Sequence, residues 1–254
     1  LAGGGLATLV AACGSGGSDD KASGSTTTTT TGSGSGSDTT TGSSGSGATE
    51  AIPEETAGPF PGDGSNGPDV LTESGVVRSD ITTSFGDLSG TAEGVPLTVT
   101  LTVLDVSSGG GPRSGAAVYV WHCDRDGNYS LYSIEDQNYL RGVQESGSDG
   151  TVTFTTIFPA CYPGRWPHIH FEVYESLDAA TSGGTKLKTS QLALPEDVCQ
   201  AVYDGADGYD QSVDALSQVS LDSDMVFSDG WSLELATVTG SVADGYTATL
   251  NVPV

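Results

Sequence analysis

Two of the three histidines of this chain stand two residues apart, in the run His168-Ile-His-Phe-Glu-Val-Tyr174. Residues i and i+2 of an extended strand point to the same face, so both imidazoles would project to one side. The run is dominated by branched and aromatic residues, as strands are. Just upstream, Tyr162 and Arg165 lie on a stretch punctuated by proline and glycine, Phe158-Pro-Ala-Cys-Tyr-Pro-Gly-Arg-Trp-Pro167. Two imidazoles with a phenol beside them make up part of the coordination shell of a metal ion. A His-x-His pair also occurs as an exposed pair without a ligand, so partners elsewhere in the chain decide. The third histidine, His122, shares a strand face with the apolar Val120 and is expected to be structural.

The elements that would position these residues read as β throughout. Leu97-Thr-Val-Thr-Leu-Thr-Val-Leu104 alternates almost strictly and predicts a half-buried strand. Further strands are expected at 116–122, 150–157, 168–174 and 188–194, with two closing strands at 232–238 and 246–252. Helical periodicity is weak except around Val198–Tyr203. Short strands separated by turn signals indicate an all-β sandwich, here one domain spanning 51–254 with long connecting loops.

What precedes that domain has a different composition. Residues 1–13 are small, apolar and uncharged, and Val10-Ala-Ala-Cys13 resembles a bacterial lipobox at the end of an export signal. Residues 14–50 are almost wholly Ser, Thr and Gly, with nothing to bury, and are expected to form a disordered tether. An extracytoplasmic protein held to a membrane only through lipid on Cys13, or secreted, is the expectation. The net charge of −25 argues against nucleic acid or an anionic membrane surface as partner, and the acidic residues read as a solvated surface. With Cys13 consumed by lipid, three cysteines remain, and a Cys161–Cys199 bridge is favoured because both lie in loop-like surroundings while Cys123 ends an apolar strand.

The strand ending at His122 runs on into Cys123-Asp-Arg-Asp-Gly-Asn-Tyr129, and here the pattern becomes specific. Trp121-His-Cys-Asp-Arg-Asp-Gly-Asn-Tyr129, Tyr162 in Cys-Tyr-Pro-Gly-Arg-Trp-Pro, and His168-Ile-His170 together resemble the intradiol aromatic-ring dioxygenases, most closely a secreted, lipoprotein-type branch. The resemblance covers about residues 52–254. It implies a non-haem iron(III) ion held by Tyr129, Tyr162, His168 and His170. It further implies that Arg165 faces bound substrate and that Gln191, in Thr189-Ser-Gln191, lines the pocket. Thr56-Ala-Gly-Pro-Phe60 and Tyr139-Leu-Arg-Gly142 resemble two other recurrent segments. The tether occupies the place of the helical dimerisation region of the catechol-type enzymes, so monomer and dimer both stay open.

The residue types suit that chemistry. Iron(III) is a hard cation that anionic oxygen satisfies, and a bound cation makes a phenol coordinate deprotonated despite an ordinary pKa of about 10. The implied activity is cleavage of a 1,2-dihydroxybenzene by dioxygen between its two hydroxyl-bearing carbons, to a muconate-type diacid. Tyr162 would leave the metal and take a substrate proton, and the charge of Arg165 would stabilise the electron-rich ring. The competing reading is a non-catalytic surface β-sandwich that binds a catecholate, a carbohydrate or a metal, since fold alone does not settle function. The four ligand types occurring together with Arg165 and Gln191 favour the enzyme.

Overall fold

The structure, a computed structural model, describes residues 50–254. The expected lipid attachment at Cys13 and the tether through residue 49 lie outside the described residues. Among those described, no helix is long and apolar enough to cross a membrane.

Two sheets pack into a sandwich. The first is built on β1 (Pro96–Asp105), whose Leu97, Val99, Leu101 and Val103 are buried while the intervening threonines are more exposed. It pairs antiparallel with the short β2 (Gly111–Pro112) and with β5 (Thr151–Ile157), and parallel with β9 (Gly245–Pro253), which carries β8 (Thr237–Ser241) on its other side. The second sheet has the order β4-β3-β6-β7, formed by Arg141–Glu145, Ala117–Trp121, His168–Tyr174 and Lys186–Ala193. Val118 and Val120 of β3, with Ile169, Phe171 and Val173 of β6, join the residues of β1, β5 and β9 in the main core.

The other face of the second sheet is not left to solvent. β6 is buried at every position, so both its faces are covered. Tyr119, Trp121 and Tyr174 on that outer face pack with Val70, Leu71 and Val76 from the long segment that precedes β1, and with Tyr129 from the loop after β3. His168 and His170 fall on this face by strand alternation. The position of the site therefore lies outside the sandwich, under a cover of loops.

Arg141, at the start of β4, fastens that cover. Its side chain is fully buried and uses all five N–H donors. Nε donates to Ser130 Oγ (3.0 Å), Nη1 to Pro61 O (2.9 Å) and Tyr119 Oη (3.0 Å), and Nη2 to Phe60 O (3.0 Å) and Ser130 O (2.9 Å). Every acceptor is neutral, so the charge is solvated by backbone and hydroxyl dipoles in place of water. Gly62 makes the close approach possible: its φ is +63°, and a Cβ there would lie 2.8 Å from Arg141 Nη1.

Several expectations change. The strand expected at 232–238 forms instead at 237–241, because Trp231–Leu235 turns back on itself through Glu234 N–H and Leu235 N–H bonds to Trp231 O. α2 (Glu196–Gly205) contains the expected helical stretch, while α1 (Leu177–Thr181) and α3 (Asp210–Leu216) are too short to carry a readable period. The Cys161–Cys199 bridge is not formed: Cys123, Cys161 and Cys199 are all free and buried. Cys199 lies within α2 and packs as a small apolar side chain, and Cys161 Sγ contacts Arg165 O at 3.5 Å. The acidic residues are not all a solvated surface either. Glu172, Asp224 and Glu234 are fully buried. Glu172 is compensated by Lys186 Nζ at 2.7 Å and by the Tyr174 hydroxyl at 2.7 Å.

His122 has the structural place expected of it. Its Nδ1–H donates to Cys123 O (2.8 Å) and its Nε2 accepts from Thr156 Oγ1 (2.7 Å), which satisfies the neutral ring. Burial lowers its pKa from 6.5 to about 4. Below pH 6.5 the unfolded chain takes up a proton that the fold refuses until about pH 4, so this residue removes stability as pH falls through that window. The loss should approach about 3 kcal/mol. Unfolding free energies from urea titrations at pH 7, 5.5 and 4 should fall less steeply in His122→Gln than in wild type; parallel slopes would contradict the assignment. A second expectation concerns Arg141. Arg141→Met strands several buried acceptors and should cost roughly 3 kcal/mol or more in the same measurement, with Arg141→Lys recovering only part. Wild-type stability in Arg141→Met would show that the cover is held by something else.

Candidate metal centre

The two histidines come together as the spacing requires. Their Nε2 atoms are 3.1 Å apart and both rings are buried. His168 Nδ1–H donates to Trp166 O, which leaves the lone pair of its Nε2 turned toward His170. His170 is flanked in register by Trp121 on β3 and Gln191 on β7. The Trp121 indole stacks on its ring at 4.8 Å with an interplanar angle of 6°, which fixes the imidazole plane.

Both tyrosines reach the same point. Tyr162 Oη lies 3.2 Å from His168 Nε2 and 3.3 Å from Tyr129 Oη. Four lone-pair-bearing atoms, two nitrogens and two oxygens, thus form one chain of contacts no longer than 3.3 Å. The two tyrosines are held differently. Tyr129 follows a tight turn in which Asp124 Oδ1 accepts from Asp126 N and Asn128 N, and Ser130 beside it is bound by Arg141. Gly127 supplies that turn with φ +82°. Tyr162 stands on the loop before β6, is only partly buried, and has a glycine two residues on whose φ is +85°.

Burial governs the protonation of all four. It pushes Tyr162 up to about 12 and Tyr129 well above the usual phenol value, and it pushes His168 down to about 3 and His170 well below the usual imidazole value. The imidazoles are therefore neutral and ready to donate lone pairs, and the phenols ionise only if a cation offsets the desolvation. Hard oxygen with imidazole suits ferric iron better than it suits a soft-ligand metal. Among the described residues no cluster of three or more His, Cys, Asp or Glu is present. The tyrosine oxygens are what complete this donor set.

The cluster opens to a cavity of about 390 Å³, at the small end for ligand pockets. Tyr129, Tyr162, Arg165 and His170 form its polar end. Arg165 is rigidly held: Nε donates to Asp224 Oδ2 (2.9 Å) and Nη2 to Gln191 Oε1 (2.6 Å), while Nη1 lies 3.4 Å from His168 Nε2. Gln191 is fully buried and does not line the cavity. Its amide spans from Arg165 to Thr56 O (2.9 Å), so in this arrangement it positions the arginine from behind.

Three contributors carry no sequence signal of their own role. Asp224 sits in an acidic stretch read as solvent-facing, yet it is fully buried and also accepts from the N–H groups of Trp166, Val226 and Phe227. Those bonds and Arg165 hold its carboxyl below the ordinary value against the opposing effect of burial. Trp121 looks like any core aromatic. Arg141 lies in the recurrent-looking segment Tyr139-Leu-Arg-Gly142, which gives no sign of the buried bonds it makes.

No family model matches the chain. Curated relatives match over part of it. A hydroxyquinol 1,2-dioxygenase of Nocardioides simplex is 35% identical over 108 residues, 35% of this chain and 36% of the relative. A chlorocatechol 1,2-dioxygenase of Rhodococcus opacus is 44% identical over 55 residues, 21% of each chain. The matched stretches thus span about a third or less of those relatives' length. An intradiol ring-cleavage dioxygenase from Tetranychus urticae, a solved structure, superposes with a TM-score of 0.62 at 27% identity, covering 80% of this chain and 94% of that one. The sandwich is thus shared over nearly the whole of a solved relative, and part of the sequence with curated ones, so the chain is similar in fold and in sequence to intradiol ring-cleavage dioxygenases.

Proposed function

We propose that this chain is a non-haem iron(III) dioxygenase that cleaves a 1,2-dihydroxybenzene with dioxygen between its two hydroxyl-bearing carbons. The observation that carries the reading is the convergence of Tyr129 Oη, Tyr162 Oη, His168 Nε2 and His170 Nε2 at the end of a cavity. These four would hold the iron. Ferric iron bound there would supply Lewis acidity toward the two diol oxygens and draw electron density from the ring.

The chain's own groups would do the rest. Tyr162 Oη lies at the cavity wall and, as the phenolate released from the metal, would take a proton from an incoming diol. Tyr162 is the less buried of the two phenols and would be the one to leave the metal, whereas the turn and the Arg141 bonds hold Tyr129 in place. Arg165, oriented by Asp224 and Gln191, would present a fixed positive charge to the electron-rich ring without reorganisation. The loop cover keeps bulk water from the outer face of the sheet. We place the domain outside the cytoplasm on a lipid anchor at Cys13, on the strength of Val10-Ala-Ala-Cys13 and the Ser/Thr/Gly run that follows.

Protein purified without chelators should contain one iron per chain and be coloured by tyrosinate-to-iron(III) charge transfer, with the band shifting on catechol. His168→Ala should lose metal. Arg165→Leu should keep iron and colour but lose roughly a hundred- to a thousandfold in kcat/KM by oxygen uptake. A colourless protein that takes up zinc but not iron would sink the reading. A coloured one that binds catechol yet consumes no oxygen would be a catecholate binder.

A further inference from the structure

Beyond the donor residues and Arg165, the cavity lining is mostly apolar. Pro59, Phe60, Met225 and Val226 line it, and Met225 is 81% exposed. Arg165 is the one charged side chain on the lining, and its bonds to Asp224 and Gln191 fix it beside the donor cluster. Among the described residues no other cation is at liberty to reach in. Of the eight Lys and Arg residues, Lys21 alone lies outside the described part. Arg78 and Arg141 are bound to backbone and hydroxyl oxygens. Arg113 pairs with Asp105 and Glu175, and Arg125 with Glu93. Lys186 pairs with Asp63 and Glu172, and Lys188 with Glu54.

Two carboxyls close to this wall already resist ionisation, chiefly through burial. Glu55, next to the wall residue Thr56, is pushed up to about 7 by burial and by Asp229. Glu234 is pushed up to about 8 by burial and by Glu55. The net charge of the chain is −25.

From this wall, and resting on the proposed ring-cleavage activity, we infer that the site takes catechols whose ring bears no charge, with an apolar substituent laid against Phe60, Val226 and Met225, and excludes those bearing a carboxylate. A carboxylate there would be stripped of water against Phe60 and Val226 with no cation to receive it, a cost of several kcal/mol per ion. A methyl group would instead gain by burial.

The test compares catechol, 4-methylcatechol and 3,4-dihydroxybenzoate with the full iron-loaded protein. The first two should be cleaved with similar kcat/KM, and 3,4-dihydroxybenzoate at least roughly a hundredfold more slowly. Met225→Arg, a change at an exposed position, should narrow the ratio of catechol to 3,4-dihydroxybenzoate roughly tenfold by supplying the missing cation. Comparable cleavage of all three, or an unchanged ratio in Met225→Arg, would overturn the inference. If none is cleaved, the proposed activity fails and the inference is judged by titration calorimetry. Binding of catechol and 4-methylcatechol without 3,4-dihydroxybenzoate upholds it, and equal affinities refute it.

Discussion

The outer face of the second sheet can bear a reactive centre because one buried guanidinium ties its cover down. Arg141 touches the turn that bears Tyr129 through Ser130, the cavity wall through the carbonyls of Phe60 and Pro61, and the sheet through Tyr119. The cavity wall is 58 residues or more along the chain from the other two parts, and no strand pairing joins it to the Tyr129 turn. An unpaired buried charge is costly, but a guanidinium whose five donors all find oxygen recovers much of its hydration. The result is a junction that tolerates little displacement, which is what a donor set needs.

That junction works with the burial of β6 on both faces. A strand with one wet face would leave His168 and His170 in water, where an imidazole pair titrates near its ordinary range. Here the inner residues Ile169, Phe171 and Val173 anchor the strand in the sandwich, and its other face becomes a dry, shaped surface. Dryness sets the chemistry, because it keeps the imidazoles neutral and makes phenol ionisation conditional on a cation.

The second constraint is the disposition of the few positive charges. With eight basic residues against thirty-three acidic ones, a cation left without an acid or a backbone oxygen would be unusual. Arg165 is therefore held by Asp224 and Gln191 as firmly as it is aimed at the donor cluster. Asp224 in turn is stabilised by three backbone N–H groups from two segments, so the loop before β6 and the stretch before Phe227 are joined through one carboxylate.

How much of this the sequence determined by itself follows from the range of the interactions. Alternation along β1 and β6 is local, and so the strands and the common face of His168 and His170 were legible. So was the neutral, core-facing place of His122, from its spacing to Val120. The donor types at Tyr129 and Tyr162 were legible through resemblance, but their meeting was not, since two loops 33 residues apart had to be folded over the sheet. Asp224 and Arg141 were beyond reach because burial of a charge depends on partners far along the chain, and composition makes a solvated acid the default. The free state of Cys161 and Cys199 was likewise decided by packing, as was the turn that moved β8. The sequence determined which groups could do the chemistry; the tertiary structure decided which were dried, paired and brought within contact, because desolvation and charge compensation are set by neighbours that local pattern does not reveal.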